Sequence, residues 1–198
     1  MKTGKLKAQG EQYEAVLDQL IKAQNQVYER IKSFLLSHKY SVAESTFSYQ
    51  PLSVKEAVDR AISMVNLFAS TEDINIECSI DENLNIIAEI DGISRVIENL
   101  LSNAIKFSIS GSTINLSARR TTSEVIISIQ DRGPGIPESE IPLLFKRFWQ
   151  GQSGKLTASS TGLGLYTCRQ IVEAHNGKIW CENVPDVGAK FSIRLPAI

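Results

Sequence analysis

Two carboxamides and an ammonium, Asn99, Asn103 and Lys106, stand at i, i+4 and i+7 within residues 99–110, a spacing that puts all three on one face of a helix. The positions between them, Leu100, Leu101, Ala104, Ile105 and Phe107, are apolar enough to bury the rest of that helix. A fold that accepts this segment must therefore pack a helix on most of its circumference and still give one polar stripe a partner. Amide oxygens coordinate Mg2+, and a lysine neutralises phosphate as a point charge, so the stripe suits a ligand that carries both and points to a nucleotide.

The chain of 198 residues, 42% hydrophobic, has room for one full domain with an appendage. A formal net charge of -1 gives no basic excess to neutralise nucleic-acid phosphates, so neither DNA nor RNA is expected as a partner. Cys78, Cys168 and Cys181 are odd in number and lack CxxC spacing. They are expected as buried free thiols in a reducing compartment, with no metal-thiolate site. No signal peptide opens at Met1, and no apolar run approaches the roughly 18 residues of a membrane span. The segment is expected in the cytoplasm without membrane contact, whatever anchor the parent protein carries elsewhere.

Residues 11–36 read as one amphipathic helix, with Tyr13, Leu17, Leu20, Gln24, Val27, Ile31 and Phe34 in alternating four and three spacing. Val16, Ile21, Tyr28 and Leu35 widen the stripe, which favours a multi-helix bundle over a two-stranded coil and predicts self-association through this helix. The polar stretch 37–52, with Pro51, breaks the period and predicts a boundary near residue 45: a helical segment over 1–45 and an α/β domain over 46–198.

In that domain Ser53 and Glu56 fit a capping box for a helix reaching about Phe68. Short strands are predicted over 74–80 and 85–90, and the helix bearing the polar stripe starts at a cap on Asp91. A hairpin turns across Thr121 and Thr122, with Ile114, Leu116, Ala118 and Val125, Ile127, Ile129 alternating. Residues 132–160 are too long for an ordinary connector. A helix over 164–174, ended by His175 and a left-handed Gly177, precedes strands over 178–182 and 190–195. The interleaving lacks strict βαβ alternation, so the expected fold is a two-layer α/β sandwich, a mixed sheet with helices on one face.

Asp131 closes the second hairpin strand, and Gly133 and Gly135 after it permit close backbone approach to a flat ligand. A carboxylate there can accept from an exocyclic amino group, the donor that distinguishes adenine from guanine; a plain turn is the alternative. Thr161, Gly162, Leu163, Gly164 and Leu165 open a helix whose free N–H groups form a ready phosphate site. Neither a Walker nor a Rossmann pattern surrounds them.

Taken in order, residues 99–108, 131–137, 144–148 and 161–166 resemble the N, G1, F and G2 boxes of the sensor histidine kinases. The resemblance covers residues 46–198 and implies a GHKL-type ATP-binding sandwich with ATP and Mg2+ as cofactors. It implies that Asn103 ligates Mg2+ with Asn99 in support, and that Lys106 contacts phosphate. Phe107 then packs near the base, Asp131 accepts the adenine amino group, and Gly133, Gly135 and Ile136 border it. Thr161, Gly162, Leu163, Gly164 and Leu165 then hold the phosphates, Phe145 and Phe148 anchor a lid, and 151–160 form its mobile part. Lys146 and Arg147 either reach the γ-phosphate or belong to a solvated charged face.

The family's fifth box, the phosphoacceptor histidine, has no counterpart here. His38 is followed by Lys39, Tyr40, Ser41 and Val42 instead of the acidic, basic and proline positions of that box, and His175 fits a structural role. Residues 11–36 resemble the second helix of the family's hairpin, so the acceptor domain and the response regulator are expected outside this chain. Glu would stand at position 99 in the hydrolytic relatives of this fold. Glu98 is rotated by about 100 degrees from it, which favours transfer over hydrolysis. A hydrolytic ATPase or anti-sigma-like serine kinase, and a non-catalytic nucleotide-binding module, are the alternatives.

Overall fold

The computed structural model describes residues 48–151 and 162–198, with scattered positions between 13 and 35. Among the described residues the elements run β1 (Gln50–Ser53), α1 (Val54–Thr71), β2 (Asn75–Ile80), β3 (Asn85–Ala88), α2 (Ile90–Phe107), β4 (Thr113–Arg120) and β5 (Glu124–Gln130). A short 3-10 turn (Ile141–Leu143) precedes α3 (Gly164–Ala174), β6 (Lys178–Val184) and β7 (Gly188–Pro196).

Five strands form one sheet in the order β2-β4-β5-β7-β6, with β2 parallel to β4 and the other pairs antiparallel. Strict alternation decides its two faces. Leu116, Ile127, Ile129 and Ile193 are buried beneath the helices, while Ser117, Arg119 and Arg194 face out and are exposed. α2 packs against both α1 and α3. Its burial of Ile93, Ile97, Leu100, Leu101 and Ile105 makes it the centre of the helical layer. The result is the two-layer α/β sandwich expected from the sequence, with the hairpin β4–β5 where alternation placed it.

Local details differ for physical reasons. β1 was not expected, because Pro51 argues against a strand. It pairs with β3 in a separate two-stranded ribbon, where β1 is an edge and a missing N–H costs no central ladder bond. Ser53 is the N-cap of α1, but no side-chain capping bond forms, so the capping box is unmade. α2 is capped at Glu89; Asp91 lies inside its first turn, paired with Arg60 at 2.7 Å. Asn176, with φ 55°, takes the left-handed position expected of Gly177.

Cys168 and Cys181 are buried free thiols, each pushed up to about 12 by burial. Cys78 is also free but exposed, because β2 is an edge of the sheet. The described positions of the N-terminal stripe, among them Tyr13, Val16, Leu17, Leu20, Ile21, Val27, Tyr28, Ile31 and Leu35, are helical and expose their apolar side chains. Phe34, His38, the boundary near residue 45, Thr161 and all of the expected mobile segment 151–160 beyond Gly151 lie outside the described residues. No helix among the described residues is long and apolar enough to cross a membrane.

Candidate functional site

The polar stripe of α2 finds its partner in a cavity of about 400 Å3, within the size range of small-molecule sites. Asn99, Asn103, Lys106 and Phe107 all line it. Asn99 donates from Nδ2 to the Arg95 carbonyl at 3.1 Å, which orients its carboxamide along the helix. Its Oδ1 lies beside the first residue of α3: a methyl group on Gly164 would sit 3.3 Å from it. Partial burial holds the Lys106 ammonium below the usual lysine range.

Asp131, just past the end of β5, is 5% exposed and forms another part of the wall. Its Oδ1 accepts from the N–H groups of Gly133 at 3.0 Å and Ala189 at 2.8 Å. Among the described residues no hydrogen bond falls on Oδ2. Burial raises this carboxyl above the usual range, and the two backbone bonds offset that only in part. Gly133 is required by proximity, since a Cβ there would lie 2.6 Å from the Phe107 carbonyl oxygen. The G1-like loop is thereby pressed against the end of α2.

The opposite wall comes from the start of α3. Gly162, Gly164 and Leu165 line the cavity, and the Gly162 carbonyl accepts from Phe148 N–H at 2.9 Å, closing the base of the intervening loop. Gly135 and Ile136 complete the set of expected residues that the fold brings together.

Three expected residues stand elsewhere. Leu163 is buried at 3% exposure, and Phe145 packs on the hydrophobic core. Phe148, at 61% exposure and φ 62°, lies under the Arg147 guanidinium outside the wall. Lys146 and Arg147 are exposed and outside the wall as well. Trp149 packs on the core and also lines the cavity.

Phe68 of α1 and Ala189 and Phe191 of β7 complete surfaces that sequence reasoning did not assign. The two strand residues carried a usable signal, being two apart on the inward face. Phe68 carried none, because its approach depends on how α1 packs against α2.

Glu98 is turned away from the cavity. Its carboxylate meets the Arg95 guanidinium at 2.7 Å, and both side chains are largely buried. His175 is held by both ring nitrogens: Nδ1 lies 2.7 Å from the Ile171 carbonyl, and Nε2 accepts from Glu89 N–H at 3.0 Å. Neither group is placed for chemistry in the cavity.

Residues 88–198 match the family model described as histidine kinase-, DNA gyrase B-, and HSP90-like ATPase. The adaptive-response sensory kinase SasA of Synechocystis sp. is 33% identical over 192 residues, covering 94% of this chain and 50% of that protein. The signal transduction histidine-protein kinase AfsQ2 of Streptomyces coelicolor is 38% identical over 101 residues, 51% of this chain and 18% of that protein. The chain thus spans half or less of the length of these two relatives.

Among solved structures, the mycobacterial sensor histidine kinase MprB superposes with a TM-score of 0.67 at 28% identity, covering 75% of this chain and 97% of that one. The ATP-binding domain of PrrB from Mycobacterium tuberculosis gives 0.61 at 27% identity, covering 76% and 98%. With the matched region running from the last residue of β3 through Ile198 and holding every cavity residue except Phe68, this chain belongs to the histidine kinase-, DNA gyrase B- and HSP90-like ATPase family and carries the ATP-binding domain of a sensor histidine kinase.

Proposed function

We propose that this domain binds Mg-ATP and passes the γ-phosphoryl group to a histidine on a separate helical segment, from which a response regulator receives it. Residues 46–198 form the ATP-binding domain in this reading. Residues 1–45 form the helical segment through which two copies associate, consistent with its exposed apolar stripe. The segment works in the cytoplasm.

The observation that carries the reading is the division of labour around one cavity. Carboxamides and a lysine of α2 face the glycines that open α3, with the Asp131 carboxylate in the wall and Glu98 held outside by Arg95. Asp131 accepts the adenine amino group through Oδ2, Phe107 borders the base, and Gly133 and Gly135 give it room. Lys106 and the backbone N–H groups of Gly162 and Gly164 meet phosphate oxygens.

The donor set suits Mg2+. Asn103, supported by Asn99, would offer neutral amide oxygens to the ion, which needs no dedicated acidic cage when a nucleotide's phosphates are present. When bound, the metal neutralises charge on the transferred group. The chain's own residues position the nucleotide and offset its charge, which is most of what phosphoryl transfer demands.

Incubating the protein with γ-labelled ATP and a separately supplied acceptor-helix fragment tests the proposal. Label should pass to the fragment's histidine. Nucleotide binding with no transfer to any such fragment would overturn it, and steady phosphate release abolished by Glu98→Gln would identify a hydrolytic ATPase instead.

A further inference from the structure

The loop that leaves β5 is stapled at both ends to one cross-strand pair. At its start, Asp131 exchanges bonds with Ala189 of β7: Asp131 N–H donates to the Ala189 carbonyl at 2.9 Å, and Ala189 N–H donates to Oδ1 at 2.8 Å. At its far end, Ile136 is held by the side chain of Asn183. Ile136 N–H donates to Asn183 Oδ1 at 2.8 Å, and Asn183 Nδ2 donates to the Ile136 carbonyl at 2.7 Å. Asn183 of β6 and Ala189 of β7 are direct partners in the ladder. Asp131, Ile136, Asn183 and Ala189 therefore close a ring around the glycines between them.

A carboxamide has one acceptor and one donor group at a fixed separation, so it imitates a strand's backbone and satisfies both groups of Ile136 at once. Gly135, at φ 76°, comes close enough that a Cβ would lie 3.0 Å from Asn183 Oδ1. Asn183 itself is exposed and does not line the cavity, whereas Ile136 and Gly135 do.

We infer that Asn183 is a positioning residue for base selection: it clamps the Ile136 backbone so that the loop holds a flat base in register with the Asp131 carboxylate. Without the clamp the loop keeps its ties at Asp131 and at Arg132, whose N–H donates to Ser108 Oγ at 3.2 Å, but its Ile136 end loses both of its hydrogen bonds to Asn183, and the base can shift to relieve the mismatch that excludes guanine. The inference rests on the reading of this cavity as an adenine-nucleotide site.

Calorimetric titration of the full chain with Mg-ADP and Mg-GDP, combined with thermal unfolding, tests it. Asn183→Asp keeps the shape but replaces the donor with a carboxylate facing the Ile136 carbonyl, and Asn183→Ala removes both bonds. Asn183→Ala, which loses two hydrogen bonds, should weaken Mg-ADP binding by about ten-fold; Asn183→Asp, which loses one and sets a carboxylate against a carbonyl, should weaken it by a similar factor, and both should narrow the ADP-to-GDP ratio. Asn183→Ser, able to restore one bond, should fall between them and the parent. A merely structural asparagine would lower the melting temperature and leave the nucleotide ratio unchanged, which would overturn the inference. So would parent-like affinity in Asn183→Ala. A parent protein that binds neither nucleotide would overturn the underlying reading of the site, a result distinguishable from failure of the clamp alone.

Discussion

The Ala189 N–H donates to Asp131 Oδ1 at 2.8 Å, so a strand of the sheet decides which oxygen of this carboxylate is left for a ligand. Gly133 N–H adds a second bond to the same atom at 3.0 Å. In Asp131→Asn those two donors require the amide oxygen at that place, which turns the NH2 group to the position of Oδ2. There it meets the adenine amino group donor to donor. The substitution should weaken Mg-ADP binding by about 1–3 kcal/mol and improve GDP relative to ADP, since guanine carries an acceptor at the equivalent position. Titration of the variant with both nucleotides checks this; an adenine preference equal to the parent's would refute it.

Asn103 lines the cavity from a half-buried position on α2, so its side chain can be removed without opening the hydrophobic core. Asn103→Ala should abolish Mg-dependent nucleotide binding and phosphoryl transfer while far-UV circular dichroism stays that of the parent. Retained transfer in this variant would remove the metal assignment.

Gly133 has no space for a side chain: a Cβ would lie 2.6 Å from the Phe107 carbonyl oxygen and 3.3 Å from Asp131 Oδ1. In Gly133→Ala the loop must move away from the end of α2, since the opposing atom is backbone. Overpacking of this kind costs about 1–3 kcal/mol. A lower urea midpoint together with weaker ADP binding is the expected result, and unaltered values for both would show that the loop yields freely.

Burial holds the His175 imidazole below its usual range, although the Ile171 carbonyl and the Glu89 charge act the other way. The Tyr49 ring also packs edge-on against it, at 5.1 Å between ring centroids. Protonation would put a proton on Nε2, which accepts from Glu89 N–H. Because the folded-state value is depressed, the unfolded chain binds more protons in the window just below the usual value of 6.5, and stability there rises with pH. Acidification from pH 7.5 to 5.5 should lower the denaturation midpoint. His175→Gln, which keeps a donor and an acceptor but does not titrate, should flatten that dependence.

Local periodicity was enough for α2, α3 and the β4–β5 hairpin, because each has an apolar face written at its own repeat: Leu100, Leu101 and Ile105 on the helix, Ile127 and Ile129 on the strand. The same repeat exposed the polar stripe and hence the ligand class. Pairing partners are not local. Nothing within residues 50–53 announces that Pro51 will sit in a ribbon with β3, and nothing in the alternation around Cys78 says that β2 ends the sheet and leaves that thiol in solvent.

The sequence by itself determined that Asn99, Asn103 and Lys106 share one polar face of a helix that is otherwise apolar, and that Asp131 is followed by glycines, because residue type and spacing are properties of the chain. The tertiary structure decided which oxygen of Asp131 is committed to Ala189, where Glu98 points, and that Asn183 grips the Ile136 backbone from 47 residues away. Those relationships depend on strand register and helix packing, and they come into being only when distant segments share one sheet.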